Sequence, residues 1–165
     1  MIISLTGYMG SGKSSVGKIL SGMLGFQFID LDAYIEHKKG ISIADIIEEE
    51  GENSFRALEA ECVRDVIIMS QLTGNDLVLA LGGGTLTIGS VRDFILENTH
   101  CVYLRARFDT IAERVGNNVS SRPLFSKESY GERQCIYEQA GTIIDTDGKT
   151  PETVAEEIKL FSISL

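Results

Sequence analysis

The sequence predicts an α/β protein built in three layers, a five-stranded parallel sheet with helices packed on its faces. Two observations carry this expectation. Short apolar runs alternate with segments of helical periodicity along the 165 residues, the pattern of parallel strands joined by crossover helices. The run Gly7 to Ser14, GYMGSGKS, lies between the first apolar run and the first helical segment, where the phosphate-binding turn of such a sheet belongs.

Taken in order, Ile2 to Leu5 is a short apolar strand, and Gly7 to Gly12 is the loop that follows it. From Lys13 to Leu24, Val16, Ile19, Leu20, Met23 and Leu24 recur at helical spacing, and Gly25 is placed to end that helix. Phe26 to Ile29 is the second strand. Asn53 suits the N-cap of a long helix in which Phe55, Leu58, Cys62, Val66 and Met69 share a face. Leu77 to Leu81, Cys101 to Leu104 and Thr142 to Ile144 are the third, fourth and fifth strands. Pro151 stands near the start of the last helix, where its missing N–H does no harm. No repeat, low-complexity tract or linker breaks the order, so one domain over residues 1–165 is expected. The segment Asn117 to Tyr130, NNVSSRPLFSKESY, is polar, contains a proline and has no periodicity, and so reads as a mobile surface loop. With arginines in it and beside it, it is a candidate lid.

The bulk composition narrows the function by exclusion. A net charge of −9 argues against nucleic acid as a partner, because phosphate backbones demand a basic face. A small anion needs only a local cluster of positive groups, which an acidic protein can hold in a cleft. No stretch has the roughly 20 apolar residues of a membrane span. The N-terminus has neither the basic start nor the cleavage site of a secretory signal, so a cytosolic protein is expected. Cys62, Cys101 and Cys135 form no CxxC pair, and His37 and His100 lie far apart, so reduced, mostly buried thiols are expected rather than a zinc site.

The chemistry is concentrated in four places. GYMGSGKS satisfies GxxxxGK[ST]: its glycines let successive N–H groups turn inward onto phosphate oxygens, and the helix after it adds its positive end. Lys13 can reach the β- and γ-phosphates, and the Ser14 hydroxyl can coordinate Mg²⁺. Phe28-Ile29-Asp30-Leu31-Asp32 puts two carboxylates at the carboxyl end of a strand, the edge where ligands bind in such sheets. One can hold Mg²⁺ through water and the other can take the proton of an attacking hydroxyl; equally, Asp32 can simply cap the next helix. The strand Val78 to Leu81 ends in Gly82, Gly83 and Gly84, a place for backbone to approach a ligand closely or a flexible turn. Its Ala80 and Leu81 carry no acid for a metal, which leaves that duty to Asp30. Arg56, Arg114, Arg122 and Arg133 fall in segments that end near the same sheet edge, and guanidinium suits bidentate binding of carboxylate or phosphate. Arg64, Arg92 and Arg105 are expected to be solvated surface charges.

GYMGSGKSS, FIDLD, SIADIIEEEGENSFRALE, LALGGG, SRPLF and ERQCIYEQA occur in the order and spacing of one family, and over nearly its whole length the chain resembles the shikimate kinases. The resemblance implies a P-loop NTPase fold like that of nucleoside monophosphate kinases, with a substrate-binding segment at about 32–61 and a lid at about 112–130. It implies transfer of a phosphoryl group from ATP to the 3-hydroxyl of shikimate, a step toward chorismate and the aromatic amino acids. Catalysis would fall to Asp32 as base, with Lys13 and the lid arginine Arg122. Shikimate would be held by Asp32, Arg56, Gly82, Gly83, Gly84 and Arg133. ATP would contact Gly10, Ser11, Gly12, Lys13, Ser14 and Ser15 in the loop, then Arg114, Arg122, Lys149 and Pro151. Mg²⁺ would sit at Ser14 and Asp30. The partners implied are these two small molecules, with no nucleic acid, no membrane and a monomeric enzyme.

Two rivals are set against this reading. Another small-molecule kinase of the same fold, for gluconate or a nucleotide, would share the loop and lid but not the set Asp32, Arg56, Gly82 to Gly84 and Arg133. A guanine-nucleotide switch finds a DxxG in Asp145 to Gly148, but it follows the last strand and no NKxD accompanies it.

Overall fold

The computed structural model describes residues 1–116 and 125–162. Five strands form one sheet: β1 (Ile2–Thr6), β2 (Gln27–Asp30), β3 (Leu77–Ala80), β4 (His100–Arg105) and β5 (Thr142–Asp145), in the spatial order β2-β3-β1-β4-β5. Every pairing is parallel, with Ile3 opposite Val78 and His100, and Asp30 opposite Ala80. The helices are α1 (Lys13–Leu24), α2 (Leu31–Lys39), α3 (Ile43–Glu50), α4 (Glu52–Thr73), α5 (Gly89–Asn98), α6 (Phe108–Val115), α7 (Lys127–Tyr137) and α8 (Pro151–Ser162), with a 3₁₀ turn at Thr85–Thr87.

Strand periodicity divides the interior into two cores. Ile3, Leu5, Val78, Val102 and Leu104 point to one face, against Val16 and Leu20 of α1 and Val154 and Ile158 of α8. Ile2, Leu77, Leu79, Cys101 and Tyr103 point to the other, against α2, α4 and α5. Each fully buried Leu or Ile contributes roughly 1.5–3 kcal/mol. The division follows from handedness: β1 to β2 runs one way along the sheet and the later crossovers run back, so right-handed connections put α1 opposite the helices between β2 and β5. The chain order therefore reverses around central β1, and the loop after β1 opens at the carboxyl edge where it does so.

Several local expectations are corrected. Asn53 lies in the first turn of α4, and the residue preceding that helix is Gly51, at φ 87. Met69 is 56% exposed and belongs to the outer face, because the buried stripe runs through Phe55, Glu59, Cys62, Val66 and Ile67. Residues 127–130 are not loop but the start of α7, with Ser126 as N-cap accepting from the Ser129 N–H. The polar sequence hid this helix, whose apolar side is limited to a few positions such as Tyr130 and Tyr137. Residues 112–115 of the expected lid likewise belong to α6. Cys62 and Cys101 are buried and Cys135 is exposed, all three free. No helix of the described residues is long and apolar enough to cross a membrane.

Candidate active site

The carboxyl edge of the sheet opens into a cleft of about 890 Å³. At its base is the loop between β1 and α1, shaped by Gly7, Gly10 and Gly12, all at positive φ. A side chain at Gly10 would strike Val115 of α6, which shows why the loop can lie so close to that helix. Ser11 N donates to the Tyr8 carbonyl at 3.0 Å, curling the backbone, and α1 begins immediately after Gly12. Lys13 is buried, and its ammonium is held over the loop by the Gly7 and Tyr8 carbonyls at 2.8 and 3.1 Å. Ser14 and Ser15 line the cleft from the first turn of α1, and the Ser14 hydroxyl donates to Asp30.

Asp30 and Asp32 do not lie together on an extended strand. β2 ends at Asp30, and Asp32 is already in the first turn of α2. The helix cap is Asp30, which accepts from the Ala33 N–H at 3.2 Å, so capping does not account for Asp32. Both carboxylates still line the cleft. Burial, and after it the charge of Glu59, pushes Asp32 up to about 6, against the opposing pull of Lys13.

The opposite wall belongs to the glycine turn after β3 and to two arginines. Arg56 on α4 pairs with Glu59 at 2.6 Å, and Thr85 donates to the other Glu59 oxygen at 2.6 Å. Glu59 is fully buried and lines the cleft beside Asp32 and Gly82. The glycines have a sharper purpose than close approach to a ligand. A Cβ at Gly82 would fall 2.5 Å from Glu59 Oε1 and 2.8 Å from Asp32 Oδ1, and one at Gly84 would overlap the Arg56 guanidinium. Bare backbone at these positions makes room for the site's own charged side chains. Arg133 on α7 donates to the Gly83 carbonyl at 3.4 Å, and the Tyr137 hydroxyl donates to the same carbonyl.

At the far end, Arg114 bridges the phosphate loop and the β5–α8 connection, donating to Ser11 O at 3.3 Å and Thr146 O at 3.2 Å. Lys149 pairs with Glu157 at 2.9 Å and, with Pro151, completes the lining there. Every expected site residue among those described lines this one cleft; Arg122 lies outside the described residues. Of the arginines expected to be merely solvated, Arg105 forms a two-pronged pair with Asp145, and Arg92 is half-buried beside Asp93. Glu59 is the functional candidate missed in the sequence. An acid three residues after Arg56, on the same helical face as Phe55 and Cys62, was the available signal.

Comparison with known proteins decides the family. A family model described as shikimate kinase matches residues 9–161. The chain belongs to the shikimate kinase family. A shikimate kinase of Bacillus cytotoxicus is 40% identical over 163 residues, covering 94% of each chain. One from Thermus thermophilus is 41% identical over 165 residues, covering 94% of this chain and 86% of its relative. Among solved structures, the Acinetobacter baumannii shikimate kinase in complex with shikimate superposes with a TM-score of 0.88 at 31% identity, covering 99% of this chain and 93% of that one. The Aquifex aeolicus enzyme gives 0.83 at 32% identity, with 99% and 97% covered. The chain is therefore a P-loop kinase of this family, whose reaction is ATP-dependent phosphorylation of shikimate.

Proposed function

We propose that the cleft holds ATP at the phosphate loop and shikimate against Asp32, Arg56, Arg133 and Gly82 to Gly84, and passes the γ-phosphoryl to the 3-hydroxyl. The observation that carries this is the meeting, in one cleft, of a phosphate loop, a half-buried aspartate and two arginines on separate helices. Arg56 and Arg133 offer fork-shaped donors to a carboxylate. Asp32, its pKa lifted by burial to about 6, is poised to accept the proton of the attacking hydroxyl near neutral pH. Lys13 and the loop N–H groups would stabilise charge on the phosphoryl in transit, joined by Arg122 from the lid.

Ser14 and Asp30 fit a Mg²⁺ ion: the hydroxyl and carboxylate already touch, at the foot of the phosphate loop, and Mg²⁺ takes few protein ligands beside water and phosphate. When bound, Mg²⁺ supplies neutralisation of phosphate charge. Arg114, Lys149 and Pro151 would flank the nucleotide, with Arg114 also tying its own anchor to Ser11. The segment at about 32–61 would close on shikimate, and that at about 112–130 on ATP, excluding water as a competing acceptor. A monomeric enzyme acting in the cytosol on these two small molecules is part of the same proposal.

A coupled ADP-release assay offering shikimate, gluconate and nucleoside monophosphates tests the reading. Turnover with shikimate alone is expected; comparable turnover with either alternative acceptor would overturn the acceptor assignment.

A further inference from the structure

Tyr8 occupies a variable position of the phosphate-loop motif, so the motif assigns it no task. It is nonetheless 1% exposed, and its side chain reaches toward α7. Its hydroxyl accepts from the Ser126 N–H at 2.9 Å, can donate to the Ser126 carbonyl at 2.9 Å, and lies 2.5 Å from Ser129 Oγ. Ser126 is the N-cap of α7. The Tyr8 ring meets Tyr130 edge-on at 5.4 Å, and the Arg133 guanidinium lies over it at 5.7 Å. At the other end of α7, Tyr137 and Arg133 both reach the Gly83 carbonyl. The helix is thus fastened at its first turn by the phosphate loop and at its last by the glycine turn, with Arg133 between.

We infer that Tyr8 is a positioning residue for the acceptor site: its hydroxyl fixes the start of α7 on the phosphate loop and its ring supports Arg133, so the loop that holds the donor also aims the arginine that holds the acceptor. This rests on the reading of Arg133 as a shikimate-binding group. Phenylalanine at this position would keep the ring and remove the hydroxyl that fastens α7. Ser129 reaches the same hydroxyl from α7, outside the phosphate loop, and so gives an independent handle.

Steady-state kinetics of Tyr8→Phe, Ser129→Ala, Arg133→Ala and the double variant Tyr8→Phe/Arg133→Ala test the inference. Losing one such hydrogen bond corresponds to roughly a five- to tenfold change, so Tyr8→Phe should raise the shikimate KM by about that factor with a smaller effect on kcat. Ser129→Ala should shift KM in the same direction, which keeps the test open even if Tyr8→Phe folds poorly. The double variant should be no worse than Arg133→Ala alone, because an arginine that is gone cannot be misplaced. Multiplying effects in the double variant, or an unchanged shikimate KM in both Tyr8→Phe and Ser129→Ala, would overturn the inference while leaving the role of Arg133 intact. An unchanged KM in Arg133→Ala would instead remove the acceptor reading itself, and the inference with it.

Discussion

At the residue scale the site is a set of charges held against their preference. Asp32 has a folded-state pKa of about 6 against 3.8 in the open chain. The folded protein therefore binds more protons between these values, and stability falls as pH rises through that window. Replacing the ionised carboxylate by a neutral amide should relieve the strain. Asp32→Asn should lose nearly all turnover and yet be more stable than the parent at pH 7, by roughly 1–2 kcal/mol, with the advantage fading below about pH 4. Denaturant unfolding at the two pH values, without nucleotide or metal, checks the sign; turnover near the parent's would remove Asp32 as base. In the parent, kcat/KM should fall as pH drops through about 6, because Asp32, the proposed base, becomes protonated. Gly84 makes a second case. Its bare Cα accommodates the Arg56 guanidinium, which Glu59 already pins. The obstructing atoms are the end of a long side chain, so Gly84→Ala should raise the shikimate KM by roughly tenfold with little loss of stability. Unchanged KM would mean that Arg56 does not need its present place.

At the element scale, what was legible in the sequence was whatever announces itself by period or punctuation. The five strands and α1, with its terminal Gly25, fall within a residue or two of expectation, because apolar alternation and glycine stops are local signals. The start of α7 was not legible: its first turn, Lys127 to Tyr130, is polar and falls within the segment expected to be lid, and only the serine cap marks it. Asp32 lies on a helix rather than a strand because the last β2 pair is Asp30 with Ala80 and Asp30 itself caps α2, an ending that the apolar run before it did not announce. Glu59 was hidden for a related reason, since an acid on an apolar helix face is meaningful only when its tertiary partners are known. Helix α1 supplies a prediction with two signs. A Cβ at Gly17 would lie 2.5 Å from the Phe28 ring, whereas one at exposed Gly22 meets nothing within 4 Å. Gly17→Ala should destabilise by about 1–3 kcal/mol through overpacking against β2. Gly22→Ala should stabilise by roughly 0.5–1 kcal/mol, since alanine restricts the unfolded chain and favours the helix. Thermal unfolding of the two variants checks both; equal shifts would contradict the close packing of α1 on β2.

At the scale of the whole molecule, an acidic chain of net charge −9 carries a cleft into which Lys13, Arg56, Arg114, Arg133 and Lys149 all face. The sheet makes this possible. Its order brings the loop after β1, the end of β2 and the turn after β3 to one edge, and the helices that follow β4 and β5 close the sides. Residues as far apart in the chain as Asp32 and Arg133 thereby share one small volume, and the tie from Tyr8 to α7 crosses between the proposed donor and acceptor halves. The central claim is that these halves meet at Asp32. A crystal structure with ADP, Mg²⁺ and shikimate tests it most directly. The carboxylate of shikimate should lie between Arg56 and Arg133, with its 3-hydroxyl within about 3 Å of the Asp32 carboxylate and facing the phosphate loop. Shikimate bound with that hydroxyl turned away from Asp32, or its carboxylate clear of both arginines, would contradict the account.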